Sequence, residues 1–220
     1  MYKKSNYIIG NFGLPNQGKT YLTTKVLIPQ IPRYFIFDVN EEYGDKIKGC
    51  IQCKSFDALV DYVQKMKNPV TDYFKIAYSG FSNTEKAYEE DVENLLELLQ
   101  VFGNLTIIVE ESTLFQNSNK IPFQLFNIVE RGRHKDISLI IIARRPTNSN
   151  RRITGLRTGV FIYKLIDPHS LKFFDELTTE QQEQIPKLPR KKCIVANMEL
   201  IQQHFTFTAQ QKKQYFYAIY

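Results

Sequence analysis

The residues best equipped for chemistry begin with an eight-residue run, GLPNQGKT, at positions 13–20. It fits the pattern G-x-x-x-x-G-K-[ST], in which loop backbone N–H groups and a following helix N-terminus converge on a phosphate. Gly13 and Gly18 allow the tight path, with Leu14, Pro15, Asn16 and Gln17 between them. Lys19 would reach the β- and γ-phosphates of a nucleotide, Thr20 would offer its hydroxyl oxygen to Mg²⁺, and Tyr21 extends the contact set. A chance glycine-rich turn is the bland reading. The apolar run before the motif and the helix-forming segment after it supply the context a phosphate cradle needs.

Such a loop needs an acid near Mg²⁺ and a group to activate the attacking water. The run LTIIV at 105–109 is followed by Glu110 and Glu111. An apolar parallel strand delivers its terminal acids to the sheet edge where ligands bind. On this reading Glu110 holds the hydration shell of Mg²⁺ and Glu111 activates water; the bland reading is a solvated acidic loop. Asp38 closes another apolar run, YFIFDV, and could help position Mg²⁺ or cap the following turn. Both stay open.

Around these residues the periodicity predicts strands at Tyr7–Phe12, Tyr34–Val39, Phe74–Tyr78, Leu105–Val109, Ile137–Ala143, Val160–Leu165 and Cys193–Ala196. Helices are expected at Thr20–Ile28, stopped by Pro29, at Ser55–Met66 with Ser55 as N-cap, and at Thr84–Phe102. Further helices are expected over Pro122–Arg133 and Pro168–Leu177. Strands apolar throughout and separated by helices imply an α/β fold, a mainly parallel sheet covered on both faces. The expected organisation is one domain over residues 1–200, with 201–220 as an extension packed on or beside it.

Composition narrows the class. The 220 residues are 43% hydrophobic and 24% charged, ordinary for a globular protein with a real core. No apolar run approaches a membrane span, and the N-terminal MYKKSNYIIGNF lacks the form of a signal peptide, so no membrane insertion and an intracellular site are expected. Cys50, Cys53 and Cys193 do not form a disulfide framework or a zinc set. Net charge is +6, and seven of the nine arginines fall between Arg131 and Arg157. That cluster suits a polyanion; a solvated basic face is the alternative. The tyrosines and phenylalanines sit mostly at core positions, and nothing signals base reading.

Four segments, in order, resemble the FtsK–HerA superfamily of DNA-pumping ATPases, and within it the compact genome-packaging ATPases of membrane-containing icosahedral viruses. They are GLPNQGKT, the D-x-x-x-E-Y element in FDVNEEYG (Asp38–Gly44), IIVEE, and ERGRHKDISLIIIARRPTN at Glu130–Asn148, similar to the arginine-rich helix, strand and T-Q-R-P turn. The similarity spans roughly residues 7–165, P-loop strand through the segment ITGLRTGVFIYKL. It implies a RecA-like (ASCE) P-loop NTPase that uses ATP and Mg²⁺, assembles as a ring, commonly a hexamer, and translocates double-stranded DNA without regard to sequence. Assembly could await a capsid vertex or DNA, and the place of action would be the host cytoplasm or the virion's packaging vertex. It also implies an arginine donated in trans to a neighbour's nucleotide, with Arg133 as first candidate and Arg157 as second. Two departures stand out: Glu110 replaces the usual Asp, and Arg144 replaces the sensor Gln. A guanidinium can contact a γ-phosphate but cannot orient water as an amide does. Competing expectations are a cellular or plasmid HerA-like motor, a P-loop kinase, and a nucleotide-dependent assembly or export protein that does not touch DNA.

Overall fold

The computed structural model describes residues 6–111 and 120–217. Eight strands form one sheet: β1 (Ile8–Phe12), β2 (Tyr34–Phe37), β3 (Ile51–Cys53), β4 (Lys75–Tyr78), β5 (Leu105–Val109), β6 (Ile137–Ala143), β7 (Gly159–Ile162) and β8 (Ile194–Ala196). Their spatial order is β3-β4-β2-β5-β6-β1-β7-β8. Every pairing is parallel except β7 with β8. The continuous runs LTIIV and ISLIIIA are buried along their whole length, as strands covered on both faces must be. Phe12 pairs with Ala143 and Val109 with Ile141, so β1, β6 and β5 end side by side. That shared edge is where the glycine-rich loop, Glu110, Glu111 and Arg144 follow their strands.

Alternating side chains build two faces. On one, Phe35, Phe37, Ile107, Val109 and Ile141 pack under α2 (Phe56–Gln64), α3 (Glu85–Phe102), α4 (Phe123–Arg131) and Ile153 of α5 (Arg151–Gly155). Ser55 caps α2 through the Ala58 N–H, as its position predicts. On the other face Ile9, Ile36, Ile108 and Ile140 pack under Leu22, Val26 and Leu27, and under Ile201, Phe205 and Tyr215. Burial of each such aliphatic side chain favours folding by about 1.5–3 kcal/mol.

The helix after the phosphate loop departs from expectation. Instead of one α-helix over Thr20–Ile28, α1 (Lys19–Leu22) passes into a π turn at Thr23–Leu27 and a 3₁₀ turn at Ile28–Gln30. The cause is local. Asn11 Nδ2 and Thr23 Oγ1 both donate to the Lys19 carbonyl, and Thr24 Oγ1 donates to that of Thr20. Hydroxyl back-bonding of this kind loosens a helix. The helix expected over Pro168–Leu177 stops after one turn, as α6 (Pro168–Leu171), capped by Asp167. Beyond it lie α7 (Thr179–Gln184), α8 (Met198–Gln202) and α9 (Ala209–Tyr215). Among the described residues no helix is long and apolar enough to cross a membrane.

Candidate nucleotide site

The carboxyl edge of β1, β6 and β5 opens into a cavity of 570 Å³, a size that takes a nucleotide. Gly18, Lys19, Thr20 and Tyr21 line it from one side, and Glu110, Glu111 and Arg144 from the other. The loop backbone has the shape its glycines permit. Gly13 has φ +156, and a Cβ there would lie 2.5 Å from that of Tyr163. Gly18 has φ +110, and Asn16 also takes a left-handed φ of 59. Lys19, only 8% exposed, donates to the Gly13 carbonyl at 2.7 Å and the Leu14 carbonyl at 2.9 Å. Burial lowers its pKa, and the charges of Glu110 and Glu111 partly offset that. The ammonium is thus fixed over the loop by carbonyls and facing carboxylates.

The acidic wall is equally organised. Glu110, 6% exposed, is pushed up to about 7, chiefly by burial, with Tyr43 and Lys19 opposing and the neighbouring Glu42 and Glu111 adding to the rise. Tyr43 donates its phenolic hydrogen to Glu110 Oε2. Glu111 stands in the left-handed region at φ 48, a conformation that costs a residue with a Cβ and gathers at functional sites. Its Oε1 pairs with Arg144 Nε at 2.9 Å. β6, between β1 and β5, is what delivers Arg144 there.

The structure therefore brings together Lys19, Thr20, Glu110, Glu111 and Arg144, and leaves other candidates elsewhere. Asp38 is fully buried and does not line the cavity. Its Oδ1 accepts from the Glu42 N–H at 2.7 Å and its Oδ2 from the Tyr43 N–H at 3.0 Å. Of its two expected roles, the turn cap is the one the geometry has.

Arg157 is corrected as a candidate for reaching a neighbour. Its guanidinium is bidentate with Glu176, at 2.6 and 2.7 Å from its two oxygens, and lies over the rings of Phe173 and Phe174. With its side chain 10% exposed, it is a structural cation. Arg133 is exposed, in the 3₁₀ turn Gly132–Lys135 near Ile8 and Thr158. That is the amino edge of the sheet, opposite the cavity. Among the described residues it makes no ion pair.

Sequence reading missed the wall contributed by Arg190 and Lys191. They occupy the turn before β8, and Lys191, at φ 65, donates its N–H to the Gln17 carbonyl at 2.9 Å. Arg190 Nε bonds the Asn16 carbonyl at 3.0 Å. Lys191 Nζ sits 5.2 Å over the Tyr21 ring, which also meets Tyr215 of α9 at 6.0 Å. The run PRKK at 189–192 was visible, but nothing in it announces a fold back over residues 16–21.

Thr20 and Glu110 supply hard oxygen donors, and no group of three or more His, Cys, Asp or Glu among the described residues is placed to hold a metal. Mg²⁺ bound beside phosphates takes one or two protein groups and keeps its waters, so this donor set fits an ion that arrives with a nucleotide.

No protein-family model matches this sequence, and no curated protein does. Solved structures do. The genome-packaging NTPase B204 of Sulfolobus turreted icosahedral virus 2 in complex with sulfate matches 89% of this chain and 93% of its own, with TM-score 0.68 at 17% identity. The same protein in complex with AMPPCP gives TM-score 0.67 at 18% identity, over 86% and 91%. VirB4 of Thermoanaerobacter pseudethanolicus gives 0.62 at 11% identity, over 86% of each chain. The fold is that of a RecA-like P-loop NTPase. In this fold the glycine-rich turn 13–20 follows β1, and the acids after β5 face it across the end of β6.

Proposed function

We propose that this chain is an ATPase that drives translocation of double-stranded DNA, as a viral genome-packaging motor. The observation that carries the reading is the placement of Glu111 and Glu110 across one cavity from Lys19 and Thr20, with Arg144 between them. The polyphosphate lies along the loop N–H groups and Lys19, and the nucleoside points toward Tyr21 and Lys191. Thr20 and Glu110 would hold a Mg²⁺ that arrives with the nucleotide, and the ion would supply charge neutralisation at the phosphates. Glu111 takes a proton from the attacking water, and Arg144, which holds Glu111 by its Nε, lies within reach of the γ-phosphate.

Assembly completes the machine on this reading. Arg133, exposed and without an ion pair among the described residues, is the arginine a neighbouring copy receives in a ring. Arg131 and Arg151, exposed as well, supply phosphate contacts to DNA, which are independent of sequence and weaken with salt.

The test is ATP turnover by wild type and Glu111→Gln, with and without long double-stranded DNA, at low and moderate salt. The expected result is turnover that depends on Glu111 and rises with DNA in a salt-sensitive way. Turnover that depends on Glu111 but ignores DNA would move an assembly protein ahead of a motor. Absence of hydrolysis in the wild type under every condition would remove the catalytic assignment of Glu110 and Glu111.

A further inference from the structure

The element D-x-x-x-E-Y, residues 38–43, is absorbed only in part by the reading above. Asp38 faces away from the cavity, and Tyr43 is 0% exposed, yet both are tied to it through hydrogen bonds. The phenol of Tyr43 donates to Glu110 Oε2. A phenol has one hydrogen, and here the carboxylate takes it. One oxygen of Glu110 is thereby held while the carboxylate keeps its remaining acceptor capacity. Desolvation keeps the phenol protonated and able to donate.

The position of that phenol is set by Asp38. Its two carboxylate oxygens take the N–H groups of Glu42 and Tyr43, and the Asp38 carbonyl takes the N–H of Glu41, which stands at φ 53. The turn is closed on three bonds, and Tyr43 leaves it into the apolar layer beside Ile36 and Leu22. The path runs from a buried acid through a turn to a buried phenol, and from there to Glu110.

We propose that Tyr43 is a positioning residue of the metal centre, holding the Glu110 carboxylate in one orientation toward a divalent cation, and that Asp38 acts by seating Tyr43. This rests on the Mg²⁺–nucleotide reading above. Groups that orient ligands in this way typically change metal affinity 10–100-fold when removed.

The experiment measures binding of ADP labelled with a fluorescent ribose substituent, first in EDTA and then across a Mg²⁺ titration, with Mn²⁺ and its paramagnetic resonance as a direct count of bound ion. Wild type is expected to bind more tightly with metal. Tyr43→Phe, which removes one oxygen and keeps the ring, is expected to bind in EDTA as wild type does, while needing about tenfold more Mg²⁺ or Mn²⁺ for half-saturation. A metal dependence equal to wild type in Tyr43→Phe overturns the proposal. Wild type indifferent to metal overturns the Mg²⁺–nucleotide reading and this proposal with it. Should Tyr43→Phe not fold, Asp38→Asn carries the test. Its amide keeps one acceptor and sets an NH2 donor against the other backbone N–H, so a raised metal requirement with affinity in EDTA kept supports the seating role, and a titration equal to wild type overturns it. Loss of metal binding as complete as in Glu110→Gln would make Asp38 a ligand and sink it.

Discussion

The two edges of the sheet use buried cations in opposite ways. At the amino edge, Arg33 gives its guanidinium to the carbonyls of Asn104, Asp72 and Pro69, and Arg157 is bidentate with Glu176. Both of these buried charges have partners within the fold. At the carboxyl edge Lys19, Glu110, Glu111 and Arg144 face one cavity, and the strain and perturbed charge collect with them: Glu111 in the left-handed region, Glu110 raised to about 7, Lys19 lowered. The amino edge contributes stability, and the carboxyl edge gives some of it up to hold charge ready for a ligand.

The comparison is broken most sharply by removing one cation from each edge. Lys19→Ala is expected to lower nucleotide affinity by more than about 100-fold, judged by the charge-assisted contacts it forfeits, with thermal stability equal to wild type or higher. Arg157→Ala is expected to leave nucleotide affinity intact and to cost about 3 kcal/mol, since it strands Glu176 in a largely buried pair. Calorimetry alongside nucleotide titration reads both. If Arg157→Ala abolishes DNA-stimulated turnover without loss of stability, the assignment of the two edges is wrong.

How far this division was legible depended on how each segment announces itself. LTIIV and ISLIIIA announce buried strands because parallel strands need apolar side chains on both faces, and the acids after β5 follow at once. The phosphate loop is legible because its backbone requirements are written as glycines. β3 was missed because three residues at a sheet edge, two half-buried and one buried, are too short a run to carry periodicity. α7 and α9 were missed although each opens with a complete capping box, Thr178 with Gln181 and Thr208 with Gln211; both helices are short and polar, so no apolar stripe marked them. Asp38 was ambiguous for a physical reason: a carboxylate that caps a turn and one that binds metal need the same residue at the same strand end. Only the two N–H bonds decide between them.

Glu110 sharpens the comparison through pH. Its folded pKa of about 7 lies above the usual 4.5. The folded protein therefore binds a proton more tightly than the unfolded chain, and the carboxylate destabilises the fold above about pH 7. That penalty is lifted as pH falls from about 7 to 4.5. Glu110→Gln, measured in EDTA, is expected to be more stable than wild type at pH 8 by about 1–2 kcal/mol, or roughly 5 °C in Tm. The gain is held to that size because Lys19 loses a facing charge. At pH 5 the two proteins are expected to melt together. A gain that persists at pH 5 would mean that packing, and not the charge, is responsible.

The smallest effect belongs to the wall that sequence reading missed. Lys191 is exposed, so its charge is screened, and its contribution to a bound nucleotide should be about 1 kcal/mol, a several-fold loss of affinity in Lys191→Ala. Its neighbour Lys192 directs its ammonium to the Lys213 carbonyl, away from the cavity. Lys192→Ala therefore removes the same net charge from the protein without touching the site. If both substitutions weaken nucleotide equally and both losses vanish at high salt, the effect is the long-range field of a basic chain. If only Lys191→Ala weakens it, and ADP suffers as much as ATP, the turn before β8 acts on the part of the nucleotide that the two share, and not on the γ-phosphate. The carboxyl edge then includes a wall brought in from 170 residues downstream of the loop it covers, as the Lys191 N–H to Gln17 carbonyl bond already places it.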